Sequence, residues 1–214
     1  ISGSSQGSGI VVVASQAEIH NNEIGPIGGW NGIWLRSTFD VVIENNTISE
    51  TNAEPIVAGS YYYSDTSISR LYLANNDIST DGTGTCSSNK WWDGEFACPA
   101  IMIFRTGSTI HDNDISAGAA NGIMAIGSLL DVQRNTFDGA STGAIIKNYD
   151  DGALGSQQYG SLAFFAENTW LNVGKTYNIT KSSVTVQSES IPSAPSGEHP
   201  VRLSWPDQEA WSYN

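Results

Sequence analysis

Few residues in this chain combine a type and a spacing that could do chemistry, and the aromatic ones stand out. Tyr61-Tyr62-Tyr63 and Trp91-Trp92 are concentrated in two polar, irregular stretches. Ring faces of this kind stack on flat ligands such as sugar rings and dominate interfaces, so these five residues are candidate ligand contacts. The alternative is that they fold their own stretches down onto the body of the protein. Cys86 and Cys98 lie twelve residues apart in the second stretch, without a CxxC spacing or a nearby histidine. That arrangement suits a disulfide stapling a surface loop better than a metal or redox pair. His20, His111 and His199 are scattered, and no zinc spacing or Ser, His and Asp set with a nucleophile elbow accompanies them.

What positions these residues is a recurring hexapeptide. Ile19-His20-Asn21-Asn22-Glu23-Ile24, Ile43-Glu44-Asn45-Asn46-Thr47-Ile48 and Leu73-Ala74-Asn75-Asn76-Asp77-Ile78 share one pattern. Ile110-His111-Asp112-Asn113-Asp114-Ile115, Val132-Gln133-Arg134-Asn135-Thr136-Phe137 and Phe165-Ala166-Glu167-Asn168-Thr169-Trp170 continue it. The anchor residues Asn22, Asn46, Asn76, Asn113, Asn135 and Asn168 are separated by 24, 30, 37, 22 and 33 positions. The shortest gaps define the unit, the longer ones are that unit plus insertions, and a period in the 20s calls for a repeat fold. Upstream of each anchor lies a second apolar block, such as Gly32-Ile33-Trp34-Leu35 or Gly122-Ile123-Met124-Ala125-Ile126. The blocks are short, β-branched and bounded by Gly and Asn, so they are strands.

Strand-turn-strand units of this length stack as coils of a parallel β-solenoid, each coil pairing with its neighbours at about 4.8 Å. The anchor Asn then takes the left-handed conformation of a sharp bend and bonds to the next anchor in a ladder. Its apolar flanks, Ile43 and Ile48 for example, point inward. The alternate positions of the upstream block, namely Val11, Val13, Trp34, Val57, Met102, Phe104, Met124, Ile126 and Ile146, face outward. An apolar row of this size is not left wet. Either the C-terminal tail or a loop covers it, or another copy or domain does.

The pattern Gly-Ile-x-apolar, a polar bend, then Ile-x-Asn-Asn-x-Ile resembles the right-handed parallel β-helix repeat of the pectate-lyase-like superfamily, over residues 8 to 170. That superfamily includes polysaccharide lyases, glycoside hydrolases, epimerases, phage tailspikes and surface adhesins. The matching residues belong to the scaffold, so the resemblance implies a fold and leaves activity open. Its lyases hold Ca²⁺ on carboxylates beside an Arg or Lys base on the outer face, and its hydrolases use clustered Asp residues. The nearest equivalents here are Asp112, Asp114, Asp131, Asp138, Asp150 and Asp151. Aligning the repeats sets Asp112 beside Asn75 and Arg134, with Asp77, Asp114 and Thr136 in the next column. Asp112 with Arg134 reads as an acid and a base or as an exposed ion pair worth under about 1 kcal/mol. Asp150-Asp151-Gly152 resembles part of the hydrolases' paired-Asp motif, but their Gly-His-Gly stretch is absent. Acidic turns suit a structural calcium ion, yet no EF-hand or Gly-Gly-x-Gly-x-Asp pattern assigns one.

Composition narrows the classes further. A net charge of -13 and a pI near 4.3 exclude the basic footprint that nucleic-acid binding needs. No run approaches the roughly 18 apolar residues of a membrane span. The chain opens without Met or a signal peptide, which is the expectation for a processed product or an excised piece. Together with the cysteine pair and the sequons at Asn45-Asn46-Thr47 and Asn178-Ile179-Thr180, this favours secretion or the cell surface. The expected architecture is all-β: a right-handed parallel β-helix of about six coils over residues 1–170 with loop insertions. Residues 171–214 are expected to form an irregular, β-rich tail that caps the last coil or begins a further domain. The expected function is a non-catalytic extracellular module that binds glycans or packs against partner subunits. The alternatives are a polysaccharide lyase or glycoside hydrolase using Asp112, Asp150, Asp151 and Arg134, and a subunit that assembles end to end through open strand edges.

Overall fold

A computed structural model describes residues 1–3, 7–13, 15–36, 38–59, 69–80, 98–150 and 158–187. The apolar blocks and hexapeptides form strands that wind into three parallel sheets of seven, seven and six strands. The first sheet contains the upstream blocks: Ile10–Val13, Ile33–Arg36, Ile56–Gly59, Pro99–Phe104, Asn121–Ile126, Thr142–Lys147 and Lys175–Thr180. The second contains Ala17–His20, Val41–Glu44, Ser69–Ala74, Thr106–His111, Leu129–Gln133, Leu162–Ala166 and Ser183–Gln187. Short strands that follow each anchor, from Glu23–Ile24 to Thr169–Leu171, make the third. Each of the first six coils contributes one strand to each sheet in turn, which is the parallel β-helix the repeat predicts.

Among the described residues, six coils are complete and a seventh contributes two strands. The expected boundary at residue 170 therefore moves. Lys175–Thr180 pairs in parallel with Thr142–Lys147, and Ser183–Gln187 pairs with Leu162–Ala166, so the coil continues through Gln187. This coil's inward residues, Tyr177, Val184 and Val186, are partly buried, as are Ile10, Val12 and Ala17 at the other end of the solenoid.

Inside the coils, equivalent residues stack at one-strand spacing. Ile24, Ile48, Ile78, Ile115, Phe137 and Trp170 form one column in register. It ends in an aromatic stack, with the Phe137 and Trp170 centroids 4.4 Å apart and nearly parallel. The Gly that leads several upstream blocks makes room for this column. A Cβ at Gly32 would lie 2.7 Å from Ile48 Cγ2, and one at Gly143 would lie 2.4 Å from Trp170 Cζ3. Each is the column residue of the glycine's own coil, so the spacing from Gly to anchor measures one turn closing on itself.

The anchors form an unbroken ladder. Asn22, Asn46, Asn76, Asn113 and Asn135 each donate from Nδ2 to Oδ1 of the next anchor at 2.9–3.0 Å, ending on Asn168. Each Oδ1 also accepts the preceding anchor's backbone N–H. One expectation needs correction. The left-handed residue is the one before each anchor: Asn21, Asn45, Asn75, Asp112, Arg134 and Glu167 have φ between 54° and 57°. The anchor side chain turns inward to bond the bend, and its neighbour carries the strained backbone with an exposed side chain.

The outward row on the first sheet also needs amendment. Ile146 lies in the interior cluster, and Ile145, paired with Met124, takes the outward place. Val57, Met102, Phe104, Met124, Ile126 and Ile145 are buried within the isolated chain, so they require no second copy to cover them. Val11 and Val13 remain 49% and 54% exposed.

Candidate functional site

The outer face of the second sheet can be read from the ladder upward. Strand side chains alternate, so with the anchor's third-preceding residue inward, the residue four before each anchor faces solvent. That rule selects Glu18, Val42, Tyr72, Thr109, Asp131 and Phe164, and the strand register places them in one continuous column. A second outward column, two residues on, contains His20, Glu44, Ala74, His111, Gln133 and Ala166. Tyr72 and Phe164 are half-buried, with their inward neighbours Leu71, Leu73, Ala163 and Phe165 in the core. They stand three strand spacings apart, about 14 Å, with Thr109 and Asp131 between them. The strip thus has an aromatic residue at each end and hydrogen-bonding groups in the middle.

Beside it, the left-handed corner supplies a charged network. Arg134 donates from Nε to Asp112 Oδ1 and from Nη2 to Asp112 Oδ2, both at 2.9 Å, the two-pronged geometry of a strong guanidinium–carboxylate pair. His111 Nδ1 lies 2.6 Å from Asp112 Oδ2, and its ring meets Tyr72 edge to face with centroids 4.9 Å apart. Gln133 donates to Asp131 Oδ1 at 2.6 Å. The Arg134 hydrogen bond, with a smaller contribution from His111, holds the Asp112 carboxyl at about 2 against a partial opposing effect of desolvation. The same bond raises the Arg134 pKa above its usual value. A proton-transfer group works best with a pKa near the working pH; here both partners are driven the other way. A depression of about 60 Å³ lies between Thr109, His111, Asp131, Gln133 and Arg134, far below the several hundred Å³ of an enclosing ligand pocket. A ligand here would lie along the surface.

The remaining sequence candidates fall as follows. Asp77, Asp114 and Thr136 pair in register on the third sheet, with Asp77 and Asp114 exposed. Tyr149–Asp150 forms a short antiparallel pair with Gln158–Tyr159, and Asp151 lies outside the described residues. So do Tyr61, Tyr62, Tyr63, Trp91 and Trp92. The strands that flank them attach the two insertions at different corners: residues 60–68 connect the first sheet to the second, and residues 81–97 connect the third to the first. Cys98 is buried, and its expected partner Cys86 lies outside the described residues. His20 and His111 share a column three strands apart. Among the described residues, no group of three or more His, Cys, Asp or Glu converges to hold a metal ion. No helix among them is long and apolar enough to cross a membrane.

A second ladder escaped the sequence reading. Ser128 Oγ accepts the Thr106 N–H at 3.3 Å, Ser161 Oγ that of Ser128 at 3.0 Å, and Ser182 Oγ that of Ser161 at 3.1 Å. It occupies the corner between the first and second sheets. Its signal was a Ser or Thr seven residues before Asn113, Asn135 and Asn168. Tyr72 and Phe164 were similarly legible from their fixed offset to the anchor.

No curated protein and no solved structure matches the chain. A family model described as the right-handed β-helix region matches residues 8–157. That span begins before the first strand and runs into the sixth coil, and with three continuous parallel sheets it gives the conclusion that the chain belongs to the right-handed β-helix family.

Proposed function

We propose that this protein is a non-catalytic, extracellular β-helix that binds glycans along the outer face of its second sheet. The observation that carries this reading is the strip from Tyr72 to Phe164, an aromatic residue at each end of a row of hydrogen-bonding side chains. Sugar rings offer apolar faces for stacking and hydroxyls for bonding. Half-buried rings fixed on strands meet both needs at little entropic cost. The two ladders hold the strands in register, so the strip is preorganised. The non-catalytic assignment draws on the Asp112–Arg134 pairing, which lowers the pKa of the carboxyl and raises that of the guanidinium, moving both further from the near-neutral range where proton transfer is efficient.

The extracellular assignment draws on the two cysteines and the two sequons. Formation of a Cys86–Cys98 disulfide belongs to the same proposal. Affinity electrophoresis and a glycan array, each with the product analysed for cleavage, test the reading. Retention without release of reducing or unsaturated ends is expected, and Tyr72→Ala should lower it at least ten-fold with the fold unchanged by circular dichroism. Cleavage of the retained glycan, or retention indifferent to Tyr72→Ala, would refute it.

A further inference from the structure

The strip pairs each of its aromatic residues with a carboxylate. Asp131 is directly in register with Phe164 on the adjacent strand. Glu44 lies two residues beyond Val42, the register partner of Tyr72, and so is the diagonal neighbour of that ring. The positive groups nearby are engaged: Arg134 with Asp112, and Arg70 with Asp40. Glu18 and Glu167 flank the strip and are exposed. The molecule as a whole carries -13. Arg134 also attracts Asp131 and Glu167, but one guanidinium already paired with Asp112 leaves an excess of carboxylates along this face, which a polyanionic chain would meet. An ammonium group beside a ring face gains from both the carboxylate and the ring quadrupole.

We infer that the ligand is a glycan bearing free amino groups, a deacetylated amino-sugar polymer whose rings rest on Tyr72 and Phe164 and whose ammonium groups meet Glu44 and Asp131. This inference rests on the glycan-binding reading and specifies its charge. The recurrence of one carboxylate beside each ring gives it a period, three strand spacings from one aromatic station to the next, that a uniformly acidic surface would not have.

The test compares three probes at low salt and mildly acidic pH: oligomers of glucosamine, the same oligomers fully N-acetylated, and polygalacturonate. Glucosamine oligomers should bind at least ten-fold more tightly than the acetylated ones, and polygalacturonate should not be retained. A unit charge at about 5 Å in water changes affinity about four-fold. Glu44→Gln and Asp131→Asn should therefore each narrow the preference by about that factor, with the effect shrinking as salt is added. Asp114→Asn removes the same single charge from the third sheet and should leave the preference unchanged. Equal binding of the acetylated oligomers, or retention of polygalacturonate, overturns the inference while leaving glycan binding intact. An equal effect of the third-sheet variant also overturns it, because the attraction would then be the net charge of the molecule. Failure to bind any probe overturns both readings.

Discussion

Replacing Asn113 by aspartate separates the ladder's hydrogen bonding from its shape. The Asn113 Nδ2 group donates to Leu73 O, His111 O and Asn135 Oδ1 at 2.9–3.0 Å, and its Oδ1 accepts from the N–H and Nδ2 of Asn76. The residue is 1% exposed. Aspartate has the same outline but sets a second acceptor oxygen against three acceptors. An ionised carboxylate there is repelled, so the side chain is held neutral, and holding a carboxyl of ordinary pKa near 3.9 neutral at pH 7 costs about 4 kcal/mol. The lost amide donation adds about 1–3 kcal/mol at any pH. The folded-state pKa is raised, so the variant binds more protons folded than unfolded and recovers stability as pH falls toward 4. The expected difference from the parent is about 5–7 kcal/mol at pH 7 and about 1–3 kcal/mol near pH 4. Urea unfolding of both proteins at matched pH measures it, because pH effects elsewhere cancel in the difference. Equal destabilisation at the two pH values would refute the reasoning.

Other expectations follow from the same geometry. Gly143→Ala forces a Cβ against the Trp170 ring and the Thr176 carbonyl, and should cost about 1–3 kcal/mol in thermal or urea unfolding. The Asp112 carboxyl should titrate near 2 by NMR, and Arg134→Gln should return it toward 3.8. Because that pKa is depressed, the stability it contributes is present above the unfolded value and lost as pH falls from about 4 to about 2; at 36% exposure the pair contributes under about 1 kcal/mol. Peptide mapping without reductant should give one Cys86–Cys98 linked fragment, and separate free thiols would refute the pairing.

Some of this was legible because a solenoid writes its contacts as sequence periods. Asn46 and Asn76 are neighbours in space for the same reason they are equivalent in the repeat: each coil rests on the last. The sheets, the inward Ile columns and the adjacency of Asp112 with Arg134 all follow from aligning hexapeptides. The left-handed residue was misplaced by one because Asn45-Asn46 and its relatives present two candidates for the bend. Only the hydrogen bonds of the second Asn show which side chain turns inward. Ile146 was misassigned because the block Ala144-Ile145-Ile146 is apolar at three successive positions and gives no alternation to read.

The end of the solenoid was missed for a related reason. Lys175–Thr180 and Ser183–Gln187 have strand character but no anchor hexapeptide, and their place in the sheets comes from the backbone edges offered by the sixth coil. By itself the sequence determined the coil, its height and its inward face, since those depend on residue types repeated at a fixed interval. The tertiary structure alone decided that all but the first members of the outer apolar row are covered within one chain, that Asp112 and Arg134 pair through two hydrogen bonds, and that Tyr72 and Phe164 are half-buried. Those outcomes turn on distances and accessibility between side chains on different coils, which periodicity orders but does not measure.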